Sequence, residues 1–168
     1  MLKVELIKVE NSPEPTIEFY NGISRIPFTV SLGNRNTPQE SIYTRNINGG
    51  NFIEFWFDKY SYDLYEIDLI SIQNTAIVTT KISPLLKEES LYTCKIIPEK
   101  SLLEDSLPIE IVRDRNSICV NIINTKSDEI NYFCIAKNIH IGVNADSYLT
   151  SLLVKDLTEE NMHAIFGF

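Results

Sequence analysis

Apolar side chains recur at every second position over most of this chain. Residues 2–9 interleave Leu, Val and Ile with charge, and residues 16–20 place Ile17 and Phe19 on one face and Glu18 and Tyr20 on the other. Ile26, Phe28, Val30 and Leu32 alternate in the same way with Thr29 and Ser31. A period of two is that of a pleated strand, so each run predicts a strand with one face turned to a core. Pro27 has no amide hydrogen to give to a ladder, which puts its strand at an edge or starts it there. Further strands are predicted over 51–58, 62–73, 76–82, 91–97, 109–113, 117–123, 130–137, 138–143 and 148–155.

Turn formers separate these runs. Asn21-Gly22 is a hairpin signal, residues 33–40 form the longest polar stretch, and Asn48-Gly49-Gly50-Asn51 offers glycines that reach positive φ without steric cost. Residues 83–89, with Pro84 at the first position, predict one helical turn, and 101–107 fit either a short helix or an ordered loop. One convincing helix is predicted near the end. Thr158 is its N-cap, Glu159 and Glu160 fill its acidic first turn, Met162, Ile165 and Phe166 pack it down, and Gly167 stops it.

Composition sharpens the class. Forty-three residues are β-branched (24 Ile, 8 Val, 11 Thr) against four alanines, a mixture that suits pleated surfaces better than helix turns. The prediction is a mainly β protein, an antiparallel sandwich or partly closed barrel with one short C-terminal helix, spanning 1–168 as a single domain.

Charge and processing signals narrow the partners. With 15 basic and 23 acidic residues the formal net charge is −8, which argues against holding nucleic acid by neutralising its phosphates. No apolar run is long enough for a membrane-spanning helix, and the first ten residues lack a secretory signal's continuous apolar stretch, so a cytoplasmic location is expected. Cys94, Cys119 and Cys134 are widely spaced inside apolar strands, the pattern of reduced core thiols rather than a zinc site.

Catalytic signatures are weak. His140 and His163 stand apart from any serine elbow or paired-histidine motif, and no glycine-rich phosphate loop occurs. The expectation is a protein that is not an enzyme and uses no cofactor and no metal. A nucleophile pair of His140 with Cys134 or Cys119 is the catalytic alternative, and it requires a thiol of depressed pKa.

The most informative stretch runs from Phe52 to Ile70, with seven aromatics and five carboxylates against one lysine. As a strand, 51–58 turns Ile53, Phe55 and Phe57 to a core and Phe52, Glu54, Trp56 and Asp58 to the opposite face. In the next strand Tyr65, Ile67 and Leu69 share the inner face, Glu66 and Asp68 share the outer one, and the alternation slips at Leu69-Ile70 in the manner of a bulge. Paired as a hairpin, the two strands would gather carboxylates around Trp56. With Tyr60 from the joining segment and Asp63 from the start of the second strand, these residues (Phe52, Glu54, Trp56, Asp58, Tyr60, Asp63, Glu66, Asp68) are the predicted partner-binding set. An aromatic anchor ringed by charge is the make-up of an interface hot spot.

In size, acidity, β content, Ile- and Asn-heavy usage and this acidic aromatic stretch, the chain resembles bacterial toxin-immunity proteins of the contact-dependent growth inhibition and polymorphic toxin type. The resemblance implies a cytoplasmic inhibitor that binds a cognate toxin domain, often a basic nuclease, without performing chemistry. The competing expectation is a small-molecule-binding or regulatory β-barrel domain, which predicts a large internal cavity instead of a packed core with a charged exterior patch.

Overall fold

The computed structural model describes residues 2–12, 14–20, 28–33, 40–73, 77–82, 86–98, 104–122 and 129–166. The fold is mainly β: two mixed sheets, one of them a curled half-barrel, and one short C-terminal helix. With strands numbered along the chain, the larger sheet runs β1 (Val4–Val9), β8 (Leu86–Ile96), β12 (Asn131–Ala136), β13 (Ile139–Val143), β14 (Leu149–Val154), β11 (Ile118–Ile122), β10 (Ile109–Arg113), β7 (Ile77–Thr79). The smaller sheet runs β2 (Thr16–Phe19), β3 (Phe28–Ser31), β6 (Leu64–Ser71), β5 (Asn51–Asp58), β4 (Ser41–Asn48), β9 (Glu104–Asp105). Pairing is antiparallel except at β7–β10, β8–β12 and β4–β9, so the expected antiparallel sheets are mixed. The larger sheet curls because Leu149 N donates to Leu2 O (2.8 Å) and Val4 N to Ser147 O (2.9 Å), which brings the β1 edge back to the start of β14.

The alternation read from the sequence builds one continuous core between the sheets. Val30, Ile53, Phe57, Ile67 and Leu69 of the smaller sheet join Ile111, Ile118, Ile139, Ile141 and Leu152 of the larger, each at most 1% exposed. Each such side chain contributes about 1.5–3 kcal/mol of burial. Asp63 stitches the sheets together at one end. Its Oδ1 accepts from the Thr93 hydroxyl (3.1 Å) and lies 3.4 Å from Lys95 Nζ, while Ile96 N donates to Tyr62 O (3.0 Å).

Several elements differ from expectation for identifiable reasons. Residues 86–89 belong to β8 rather than to a helical turn, because Leu86 is in register with Tyr132 of β12 and the neighbouring ladder overrides local preference. Glu104 and Asp105 form a two-residue strand beside β4. Strand β4 itself has no clear period-two signal because its inward side chains are Ile42, Thr44 and Asn46. Asn46 is 4% exposed and is satisfied by imitating a strand neighbour: Nδ2 donates to Leu107 O and Oδ1 accepts from Leu107 N, both at 2.8 Å. Strand β3 begins directly after Pro27 and lies between β2 and β6. Pro27 itself, the Asn21-Gly22 hairpin signal, residues 34–39, Pro84 and Gly167 lie outside the described residues.

The β4–β5 hairpin turns on Gly49 (φ 58°) and Gly50 (φ 86°), the two positive-φ positions of a tight hairpin turn. Helix α1 (Glu159–Phe166) starts as expected. Asn161 N donates to Thr158 Oγ1, and Thr158 N donates to Asn161 Oδ1, both at 3.1 Å. It lies against β2 and sends Met162, Ile165 and Phe166 onto the core. No helix among the described residues is long and apolar enough to cross a membrane.

Gly142 of β13 permits one close approach within the larger sheet. A Cβ there would stand 2.7 Å from Ile130 Cγ2 and 2.8 Å from Ser151 Cβ. Gly142→Ala is therefore expected to destabilise the fold by about 1–3 kcal/mol, as overpacking does. Urea unfolding checks this; an unchanged midpoint would show that the sheet opens at no cost there.

Candidate functional site

Strand β5 sits inside the smaller sheet, paired to β4 on one side and β6 on the other. Its inward residues are Ile53, Phe55 and Phe57, at 0%, 2% and 0% exposure, as the alternation predicts. On the outer face, register aligns Arg45, Glu54, Asp68, Thr29 and Glu18 in one row across β4, β5, β6, β3 and β2. The adjacent row holds Tyr43, Trp56, Glu66, Ser31 and Thr16.

Trp56 is half-buried on this outer face, not sealed in the core. Its indole N–H donates to Asp68 Oδ2 (2.8 Å), and its ring meets Tyr43 at 5.1 Å between centroids. Asp68 Oδ1 accepts from the Thr29 hydroxyl (2.6 Å), and Glu66 Oε2 accepts from Ser31 Oγ (3.1 Å). Glu54 is buried at 6% exposure and ion-paired with Arg45 (3.1 Å). The Arg45 guanidinium lies 4.7 Å from the Tyr43 ring and 5.7 Å from the Phe52 ring. Burial raises the Glu54 carboxyl pKa, Arg45 opposes the shift and Asp68 adds to it. The result is a fixed lattice in which hydroxyls, an indole N–H and a guanidinium hold carboxylates in place.

The predicted residues do not all converge. Phe52, Glu54, Trp56, Glu66 and Asp68 share the outer face. Asp58 lies at its margin, where Oδ1 accepts from Ser61 N (2.7 Å) and Tyr60 N (2.8 Å); these two amides hold its carboxyl below the ordinary carboxylate range. Tyr60 stands off the hairpin tip at 72% exposure. Asp63 belongs to the stitch between the sheets.

Two bulges set this geometry. One, at Ile70, matches the slip in the sequence: Phe52 faces Ser71 while Ile53 faces Leu69. The other leaves Tyr65 as an extra residue between Glu66, opposite Trp56, and Leu64, opposite Phe57. Leu64 therefore takes the inner position expected for Tyr65, whose hydroxyl instead reaches across β5 and donates to Ser41 Oγ at the start of β4. Sequence reasoning missed Tyr43, Arg45, Thr29, Ser31 and Glu18, because only strand order places them here.

The alternative chemistries have different geometry. Cys134 and His140 are directly opposite in register. Burial raises the Cys134 thiol, whose Sγ donates to Ala136 O (3.2 Å). Burial, with the Lys155 ammonium adding, lowers His140 to about 4. These shifts are opposite to those of a thiolate–imidazolium pair. Cys119 is pushed up to about 11 by burial and lies 3.4 Å from the Tyr132 hydroxyl. No group of three or more metal-ligating side chains occurs among the described residues. An open cleft of about 440 Å³, lined by Ile7, Val9, Leu64, Tyr65, Tyr92 and Lys95 among others, lies between β1, β8 and β6.

Compared with known families and with curated proteins, the sequence matches no family model and no curated protein.

His140 makes a pH prediction. It is neutral in the fold down to about pH 4 but takes a proton near 6.5 when unfolded. Between those values the unfolded chain binds more protons, so stability rises with pH and is lost on acidification by up to about 3 kcal/mol. Comparing unfolding free energies of wild type and His140→Gln from pH 7 to 4.5 should show the steeper loss in wild type; parallel curves would refute the buried neutral imidazole.

Proposed function

We propose that this protein is a non-enzymatic inhibitor that docks the outer face of its smaller sheet onto a basic protein, in the manner of an immunity protein neutralising a toxin domain. The single observation that carries this reading is the half-buried Trp56, tied to Asp68 and set in a row with Glu66 beside Glu54. Among the described residues, Glu54, Asp58, Glu66, Asp68 and Glu18 bring five carboxyl groups to this face and its margin, with Arg45 on the face and Lys59, paired with Glu40, at the margin. Such a surface steers a cationic cleft toward it, and the preformed lattice limits the entropy lost on docking. Neutralising a nuclease in this way would set carboxylates where nucleic-acid phosphates otherwise bind.

The test uses the C-terminal domain encoded by the adjacent upstream gene, co-expressed with this protein. Trp56→Ala should weaken the complex by about 2 kcal/mol or more, as loss of an interface anchor does. Glu18→Lys and Glu66→Lys should chiefly slow association and flatten its salt dependence. Glu54 does not suit charge reversal, because a lysine there would face Arg45 in a buried site. Unchanged affinity and rate in all three folded variants would remove this face from the interface.

A second reading rests on the cleft between β1, β8 and β6, whose volume lies in the range of small-molecule sites. It predicts that a small amphiphile perturbs the amide resonances of Tyr92 and Tyr65 at micromolar concentration, leaving those of Glu54 and Trp56 unmoved. Flat titrations across a varied small-molecule set would dismiss it.

A further inference from the structure

The turn joining β5 to β6 carries a feature the outer face does not account for. Tyr62 has φ 64°, the left-handed region that disfavours a bulky side chain and that turn chemistry ordinarily gives to glycine or asparagine. The surrounding backbone is firmly tied. Tyr62 N donates to Asp58 O (2.9 Å), Asp58 N donates to Asp63 O (2.9 Å), and Asp58 Oδ1 holds the amides of Tyr60 and Ser61. From the larger sheet, Lys95 Nζ donates to Ser61 O (2.9 Å) and Ile96 N to Tyr62 O (3.0 Å). Lys59 N donates to Glu40 O (2.9 Å), and its ammonium pairs with the Glu40 carboxylate. Yet the two tyrosines this scaffold holds face solvent, Tyr60 at 72% exposure and Tyr62 at 38%. A residue kept in a disfavoured conformation without being buried in the core points to a role outside folding.

We infer that the β5–β6 tip is the leading contact of the interface, inserting Tyr60 and Tyr62 into an arginine-bearing cleft of the basic partner. The inference rests on the docking reading above and extends it from the sheet face to the hairpin end. Tyrosine supplies contact area for only two side-chain torsions, and a tied backbone removes the loop-ordering cost of binding. Charge complementarity favours a basic occupant, because the two ammoniums at the turn are already engaged, Lys59 with Glu40 and Lys95 with Asp63. Asp58 closes the acidic face at the base of the same turn, and an aromatic ring beside a carboxylate is the surroundings a guanidinium favours. The protein displays that combination internally, where Arg45 lies against the Tyr43 ring and pairs with Glu54.

Two variants test this, Tyr62→Gly and Tyr60→Ala, each measured for thermal midpoint and for affinity to the domain encoded by the upstream gene, with Trp56→Ala alongside. Relief of the left-handed tyrosine should raise the midpoint of Tyr62→Gly by about 2–4 °C. Tyr60→Ala should leave the midpoint unchanged, and both variants should lose at least tenfold in affinity. A lowered midpoint in Tyr62→Gly would mean that Tyr62 is retained for packing and would overturn the inference. Affinities within twofold of wild type, with Trp56→Ala still weakened, would overturn it too while leaving the sheet face as the interface. Absence of binding by the wild-type protein would overturn the docking reading and this inference together.

Discussion

Strand β5 has a hydrogen-bonded neighbour on both sides, so neither of its faces can turn over without breaking two ladders. A one-residue slip would drive Glu54, Trp56 and Asp58 into the core and send Ile53, Phe55 and Phe57 into water. Burial of the two phenylalanines and Ile53 therefore fixes the register, and the register in turn fixes where the carboxylates stand. The outer face inherits its geometry from the core, which is why an anionic surface can be held rigid in spite of its own repulsion.

That repulsion is moderated locally. Glu54 is nearly out of solvent and is ion-paired with Arg45, whose guanidinium also lies against two aromatic rings. Asp68 is engaged by Thr29 and by the indole N–H, and Glu66 by Ser31. Removing Arg45 would leave a buried carboxylate uncompensated, a costlier change than its surface location suggests. The contributors Tyr43, Arg45, Thr29 and Ser31 come from strands that flank the acidic hairpin, so the face belongs to the sheet as a whole.

What the sequence disclosed follows from how strongly each element alternates. Strand β5 alternates Ile53, Phe55 and Phe57 with its outer residues, and β14 is an apolar run bounded by turn residues and buried throughout, so the limits of both are legible to within a residue. Strand β4 hides its inner face behind Thr44 and Asn46, and β8 begins in a stretch whose proline and polar residues suggest a helix. The hairpin of β5 and β6 was legible from its spacing, including the bulge at Ile70. The bulge at Tyr65 was not, because both Leu64 and Tyr65 fit an inward position until pairing chooses between them. Strand order is a long-range property, so the alignment of Arg45, Thr29 and Glu18 with the acidic hairpin had no local trace.

Trp56 is the only tryptophan in the chain, so its fluorescence reports this face without ambiguity. The most direct measurement is acrylamide quenching of that emission before and after saturation with the C-terminal domain encoded upstream, rendered tryptophan-free. Docking through this face predicts moderate quenching in the free protein and a several-fold loss of quenching with a blue-shifted maximum in the complex. A stable complex whose Trp56 emission and quenching match the free protein would contradict the account.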